Sequence, residues 1–107
     1  MTKPTSKRLM FLKDLISRGS RDPMAFYGLA MEFRSLGLHE DALATFTALR
    51  ESHRDYVAMY LMCGQLLEQM GRQGEARGWY EAGIQRAREA HNAHAASELE
   101  GALAALA

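Results

Sequence analysis

The stretch FYGLAMEFRSLGLHEDALATF, from Phe26 to Phe46, returns in outline as YLMCGQLLEQMGRQGEARGWY, from Tyr60 to Tyr80. Phe26, Leu29, Ala30, Phe33, Gly37, Ala42 and Phe46 align with Tyr60, Cys63, Gly64, Leu67, Gly71, Ala76 and Tyr80, each pair 34 positions apart. What returns is side-chain size rather than identity: aromatic, apolar, small, apolar, glycine, small, aromatic. Spacings of three and four within each half give one face of a helix. A glycine between the halves suits the left-handed residue that ends a helix. A fixed period of this length marks a two-element unit that buries its apolar face only by packing on neighbours.

In period and in the order of large and small residues, the pattern resembles the tetratricopeptide repeat. That resemblance implies an all-α fold, an α-solenoid of stacked antiparallel helix hairpins, and a role in binding other proteins. Two full units are expected at residues 23–56 and 57–90, within a single domain covering 1–107. The proline that the family carries near the end of each unit is absent, with Arg54 and Arg88 in its place. Stepping back 34 from Phe46 and Leu49 reaches Leu12 and Leu15, so a helix over 7–18 reads as an N-terminal half-repeat or cap. Stepping forward 34 from Tyr60, Cys63, Gly64 and Leu67 reaches His94, Ser97, Glu98 and Gly101, which breaks the pattern. Residues 91–107 therefore read as a C-terminal capping helix, presenting Ala95, Leu99, Ala102, Leu103 and Leu106. Caps are needed because a stack leaves an apolar face open at each end.

Local signals place the helix ends. Ser6 and Asp22 can each accept a hydrogen bond from a free amide of the first turn, and Pro23 fits the first helical position. Asn92 is a third cap of this kind, and the fourth helix is expected to begin near Asp55. Gly19, Gly37 and Gly71 can close helices. Ala30, Ala42, Gly64 and Ala76 lie on the core faces, where a small side chain lets two helix backbones approach closely. Gly83 stands where the first copy has Leu49, at a helix-propensity cost of about 1 kcal/mol against alanine, so a close neighbour is expected there. Trp79 adjoins Tyr80 but faces away from the core set, which suggests a half-buried packing residue.

Thirteen basic residues balance thirteen acidic ones over 107 residues, so overall charge gives no pull toward nucleic acid. The balance is uneven along the chain. Residues 1–21 hold Lys3, Lys7, Arg8, Lys13, Arg18 and Arg21 against Asp14 alone, a net +5. A single cysteine, Cys63, excludes an internal disulfide and fits a reducing, cytoplasmic setting. No apolar run reaches the roughly 20 residues of a membrane span. The run Leu9–Leu12 is too short for a signal peptide, and the same segment has a structural use that argues against a transit peptide.

Chemistry finds little purchase. His39-Glu40 begins a zinc-protease motif, but Leu43 occupies the place of its second histidine. His91 and His94 stand three apart on what reads as helix, without a carboxylate or thiol to complete a metal set. No phosphate-cradling glycine loop and no Gly-x-Ser-x-Gly elbow occurs. Cys63 falls on the core face, as a small apolar residue. The reading is of a protein that is not an enzyme, with no cofactor and no metal.

A second stripe runs beside the core stripe on the first helix of each unit: Met24, Tyr27, Gly28, Met31, Arg34 and Ser35, then Ala58, Leu61, Met62, Gln65, Glu68 and Gln69. In the family that this chain resembles, the corresponding faces line a concave groove that receives peptides. Both stripes begin apolar and end polar. Methionine is flexible and polarizable, so Met24, Met31 and Met62 suit several apolar partners, although plain packing between helices would use the same residues. One branch of the family clamps acidic peptide tails with Lys, Asn and Arg; here Tyr27, Met31 and Met62 take those places, so that ligand is not expected. The leading expectation is an adaptor for an apolar or amphipathic segment of a protein or peptide partner. The alternative is a homo-oligomeric assembly module that pairs through the same methionine-lined face. A third reading docks the basic first helix on an acidic partner or membrane surface.

Overall fold

The computed structural model describes residues 2–106. Among them are six helices and no strand: α1 (Lys7–Ser17), α2 (Pro23–Ser35), α3 (His39–Ser52), α4 (Ala58–Gln69), α5 (Gln73–Glu89) and α6 (Ala93–Ala104). They fall into two compact units, Met1–His53 and Arg54–Ala107. The division lies three residues before the repeat boundary expected at 56/57. Each unit is built on a helix hairpin, α2 with α3 and α4 with α5. In the first unit α1 packs on α2, and in the second α6 packs on α5 and touches α4.

The starts of three helices follow their caps. Ser6 Oγ accepts from the Leu9 amide, Asp22 Oδ1 from Met24 and Asn92 Oδ1 from Ala95, each at 3.0 Å. Each bond satisfies an amide that has no partner inside the helix. The fourth helix departs from expectation. It begins at Ala58, not near Asp55, and no side chain caps it.

The helix ends repeat as faithfully as the core. After α2 the Leu38 amide donates to the Phe33 carbonyl at 2.9 Å, and after α4 the Arg72 amide donates to Leu67 at 2.8 Å. Both turns pass through a glycine in the left-handed region, Gly37 at φ +77° and Gly71 at +75°. This is the Schellman closure, and it explains why glycine recurs 34 residues apart. The same closure follows α5, where Asn92 donates to the Ala87 carbonyl at 2.8 Å. There the left-handed residue is His91, at φ 55°. His91 thus lies outside both flanking helices and does not share a helix with His94, contrary to the sequence reading.

Packing in the second unit centres on two glycines. Gly64 of α4 faces the ring of Tyr80 on α5, and a methyl group there would lie 2.7 Å from Tyr80 Cδ1. Gly83 of α5 faces Tyr60 of α4, and a methyl group there would lie 2.5 Å from Tyr60 Cβ and 3.0 Å from Leu99 Cδ1 of α6. The close neighbour expected at Gly83 is therefore present. Ala42, Phe46, Leu49, Ala76 and Tyr80 have no exposed surface. Trp79 corrects the sequence reading. It is buried against Tyr60, ring centroids 5.8 Å apart, and belongs to the core. In α6 the buried residues are Ala96 and Leu99 rather than Ala95, and Leu106 lies beyond the helix end.

His91 carries a cost that glycine would not. A side chain in the left-handed region costs on the order of 1–2 kcal/mol, although histidine tolerates it better than most. His91→Gly should stabilise the fold by about 0.5 kcal/mol after the added freedom of the unfolded chain is counted. A rise of a few degrees in melting temperature is expected, and a fall would contradict this account of the turn.

Candidate functional site

The two stripes are defined by what the hairpins leave uncovered. On α4 the core faces carry Met59, Tyr60, Cys63, Gly64, Leu66 and Leu67, all buried. Every other residue from 58 to 69 stays at least partly exposed: Ala58, Leu61, Met62, Gln65, Glu68 and Gln69. At 100° per residue these six fall on one continuous side of the helix. Met59 and Leu66 have no exposed surface. Neither belongs to the core stripe read from the repeat.

On α2 the open side holds Met24, Tyr27, Met31, Arg34 and Ser35. Met24 is 68% exposed, while Tyr27, Met31 and Arg34 are half-buried. Gly28 does not belong there. It is buried, and a methyl group on it would touch Leu12 of α1 at 3.5 Å. Tyr27 is anchored as well as exposed, its ring meeting Phe46 of α3 edge-on with centroids 6.3 Å apart. An aromatic held this way offers apolar area with little rotamer freedom left to lose.

The polar ends of the stripes are partly engaged. Glu68 accepts a hydrogen bond from the Tyr80 hydroxyl, so its carboxylate also serves the α4–α5 seam. In the loop before α5, Arg72 Nη2 donates to Glu75 Oε1 at 2.8 Å. That bond holds the Glu75 carboxyl below its ordinary pKa, with the nearby positive charge adding to the effect. Among the described residues no three His, Cys, Asp or Glu side chains gather to hold a metal ion. No described helix is long and apolar enough to cross a membrane. A shallow hollow of about 360 Å³ in the first unit is lined by Arg21, Phe26, Ser52 and His53.

Comparison with known proteins agrees with the repeat reading. A solution structure of a tetratricopeptide repeat domain protein from Salinibacter ruber is 37% identical, with a TM-score of 0.75, over 78% of this chain and 84% of that one. The chain belongs to the tetratricopeptide repeat family. A crystal structure of a tetratricopeptide repeat domain protein from the same organism, also 37% identical, gives a TM-score of 0.72 over 78% of this chain and 92% of that one. A solution structure of a protein from Bordetella parapertussis gives a TM-score of 0.81 at 19% identity, over 95% of this chain and 89% of that one, and shows the same fold. No family model matches the chain, and no curated protein matches it. The α-solenoid of helix hairpins is thereby shown, and a tetratricopeptide fold is that of a protein-interaction module.

Two exposed residues escaped the sequence reading. Met10 is 61% and Phe11 62% exposed, both on α1. The run from Leu9 to Leu12 reads as uniformly apolar, but only Leu9 and Leu12 are buried. The signal lies in the repeat offset, because Phe11 stands 68 residues before Trp79.

The division of α4 into open and core sides predicts opposite outcomes for one substitution. Leu61→Glu should cost less than about 1 kcal/mol, as on most exposed surfaces. Met59→Glu buries an unpaired carboxylate and should cost more than about 3 kcal/mol. Denaturant unfolding of both chains checks this, and similar losses would contradict the assignment.

Proposed function

We propose that this tetratricopeptide protein is a non-catalytic adaptor that holds an apolar or amphipathic segment of a protein partner. The stripes Met24, Tyr27, Met31, Arg34 and Ala58, Leu61, Met62, Gln65, Glu68, Gln69 supply the contact. The observation that carries the reading is the half-exposure of Leu61, Met62, Met31 and Tyr27 on the open sides of α2 and α4. Large apolar side chains left partly in water on a protein-interaction fold are available to be desolvated by a partner. Methionine can then repack around apolar segments of different shape. Residues 7–18, 23–56, 57–90 and 91–107 act together as half-repeat, two repeats and cap of one working domain. Cys63, wholly buried, fits a reducing compartment such as the cytoplasm.

A second reading rests on Met24. Its 68% exposure also suits pairing of the methionine-lined face with a second copy of the chain. Sedimentation over a range of concentrations separates the two readings, because only self-pairing makes mass depend on concentration.

Peptides selected on the full chain from a random display library should be rich in apolar residues. Calorimetry with the best of them should show Met31→Glu and Leu61→Glu each losing about 2 kcal/mol or more, roughly thirtyfold in affinity. Unchanged affinity in both variants would move the binding surface elsewhere.

A further inference from the structure

The hollow of about 360 Å³ in the first unit is lined by Arg21, Phe26, Ser52 and His53. Small-molecule sites span about 300–1,000 Å³, so its size suits one small ligand. Arg21 comes from the loop before α2 and Phe26 from the start of that helix, while Ser52 closes α3 and His53 caps it. None of the four is acidic, and none belongs to the stripes of α2 and α4.

The backbone on either side of Arg21 is held. The Ser20 amide donates to the Leu15 carbonyl at 3.1 Å, and the Asp22 amide donates to Ser20 Oγ at 3.4 Å. Asp22 Oδ1 is taken by the Met24 amide at 3.0 Å. The Arg21 side chain is exposed and makes no ion pair or hydrogen bond among the described residues, with Asp22 or with any other group. Lys3, Arg8 and Arg18 of the same unit all reach carboxylates. An unpaired guanidinium beside a hollow presents a planar fork that matches a carboxylate.

His53 supplies the opposite polarity. Its amide donates to the Leu49 carbonyl at 2.7 Å, which fixes the residue at the end of α3. Ser52 has one hydroxyl proton and donates it to the Ala48 carbonyl at 3.0 Å. Its Oγ therefore accepts from His53 Nδ1, 3.1 Å away. In the neutral ring this leaves Nε2 as an acceptor. Phe26 is half-buried and adds an aromatic surface. A cation, an aromatic ring and a hydrogen-bond acceptor thus line one small hollow.

We propose that this hollow binds a small aromatic carboxylic acid that carries an N–H or O–H group. The carboxylate meets the Arg21 guanidinium, the ring covers Phe26, and the N–H or O–H donates to His53 Nε2. A bare anion would leave Phe26 and His53 unused, and an uncharged ring would leave Arg21 unused. The site is independent of the stripes, so its failure would leave the adaptor reading untouched.

The test titrates the full chain, labelled with nitrogen-15, with indole-3-acetate. The amide signals of Arg21, Phe26 and His53 should shift, with a dissociation constant of about 1 mM or tighter for a ligand of this size. The carboxylate-free analogue 3-methylindole and the N-methylated acid, which has no N–H, should each bind about fivefold or more weakly. Arg21→Ala should weaken indole-3-acetate about fivefold or more, with the rest of the spectrum unchanged because the side chain is exposed. His53→Phe should abolish the difference between the acid and its N-methylated form. Leu61→Glu should bind like the parent. The proposal is overturned if no signal shifts up to about 10 mM, or if Arg21→Ala has no effect. It is overturned if acetate or inorganic phosphate shifts the same signals equally, because the site would then hold a bare anion. It is overturned equally if an acetylated peptide ending in tryptophan binds more tightly, because the occupant would then be the end of a protein.

Discussion

The second unit depends on an exchange of space between two helices. Tyr80 of α5 fills the room that Gly64 leaves on α4, and Tyr60 of α4 fills the room that Gly83 leaves on α5. Each glycine costs helix propensity of about 1 kcal/mol against alanine. Each buried ring returns roughly 1.5–3 kcal/mol, so the exchange is favourable only while the rings stay in place. Their hydroxyls are satisfied within the unit, Tyr60 donating to the Arg54 carbonyl at 2.6 Å and Tyr80 to Glu68. Trp79 then packs on Tyr60, and Leu99 reaches the surface of Gly83, which ties α6 to the same contact. The first unit divides its volume differently. Leu49, wholly buried, stands at the Gly83 position, and the half-exposed Phe26 stands at the Tyr60 position. Volume added on one helix is thus withdrawn from the other, which keeps the hairpin at a workable density.

Because the seams are filled by aromatic and very small residues, the side of α2 and α4 turned away from them is free to vary in chemistry. That side carries methionine, leucine, tyrosine, arginine and glutamine. Tyr27 among them also serves the fold, its ring meeting the wholly buried Phe46 of α3. As a set, their combination of adaptable apolar groups at one end and hydrogen-bonding groups at the other suits a partner segment that is itself amphipathic. Glu68 links the two functions, because its carboxylate stands on the open side and also accepts the Tyr80 hydroxyl. A partner competing for Glu68 would act directly on the helix seam.

Features written over a few residues were legible in the sequence. Ser6, Asp22 and Asn92 cap their helices because a short polar side chain reaches an amide two or three residues on. Gly37 and Gly71 end theirs because the left-handed turn favours glycine. The seams were legible through the period, which aligned Ala42 with Ala76 and Phe46 with Tyr80. The rest was hidden for physical reasons. A period fixes one core stripe, yet α4 buries Met59 and Leu66 as well, so its apolar arc is wider than a single stripe. Trp79 was misplaced because its counterpart 34 residues earlier is Thr45, a polar residue, so the period marked no core position there. The phase of α6 was misread because alanines on adjacent positions, Ala95 and Ala96, carry no amphipathic contrast. The start of α4 lacks a capping side chain, so nothing in the sequence marked it. That Ala58, Leu61, Met62, Gln65, Glu68 and Gln69 lie outside the α4 core was legible from the period, whereas the burial of Gly28 on α2 emerged only once Leu12 was seen against it.

The exchange of space between α4 and α5 is tested most directly by a double-mutant cycle on Gly64 and Tyr80, read by denaturant unfolding. In the parent, Gly64→Ala should destabilise, because overpacking of about 1–3 kcal/mol outweighs the propensity gain of about 1 kcal/mol. With Tyr80→Leu already in place the ring is gone, and the same Gly64→Ala change should become neutral or stabilising. The two positions would then couple by about 1 kcal/mol or more. Equal effects of Gly64→Ala in both backgrounds would contradict the account.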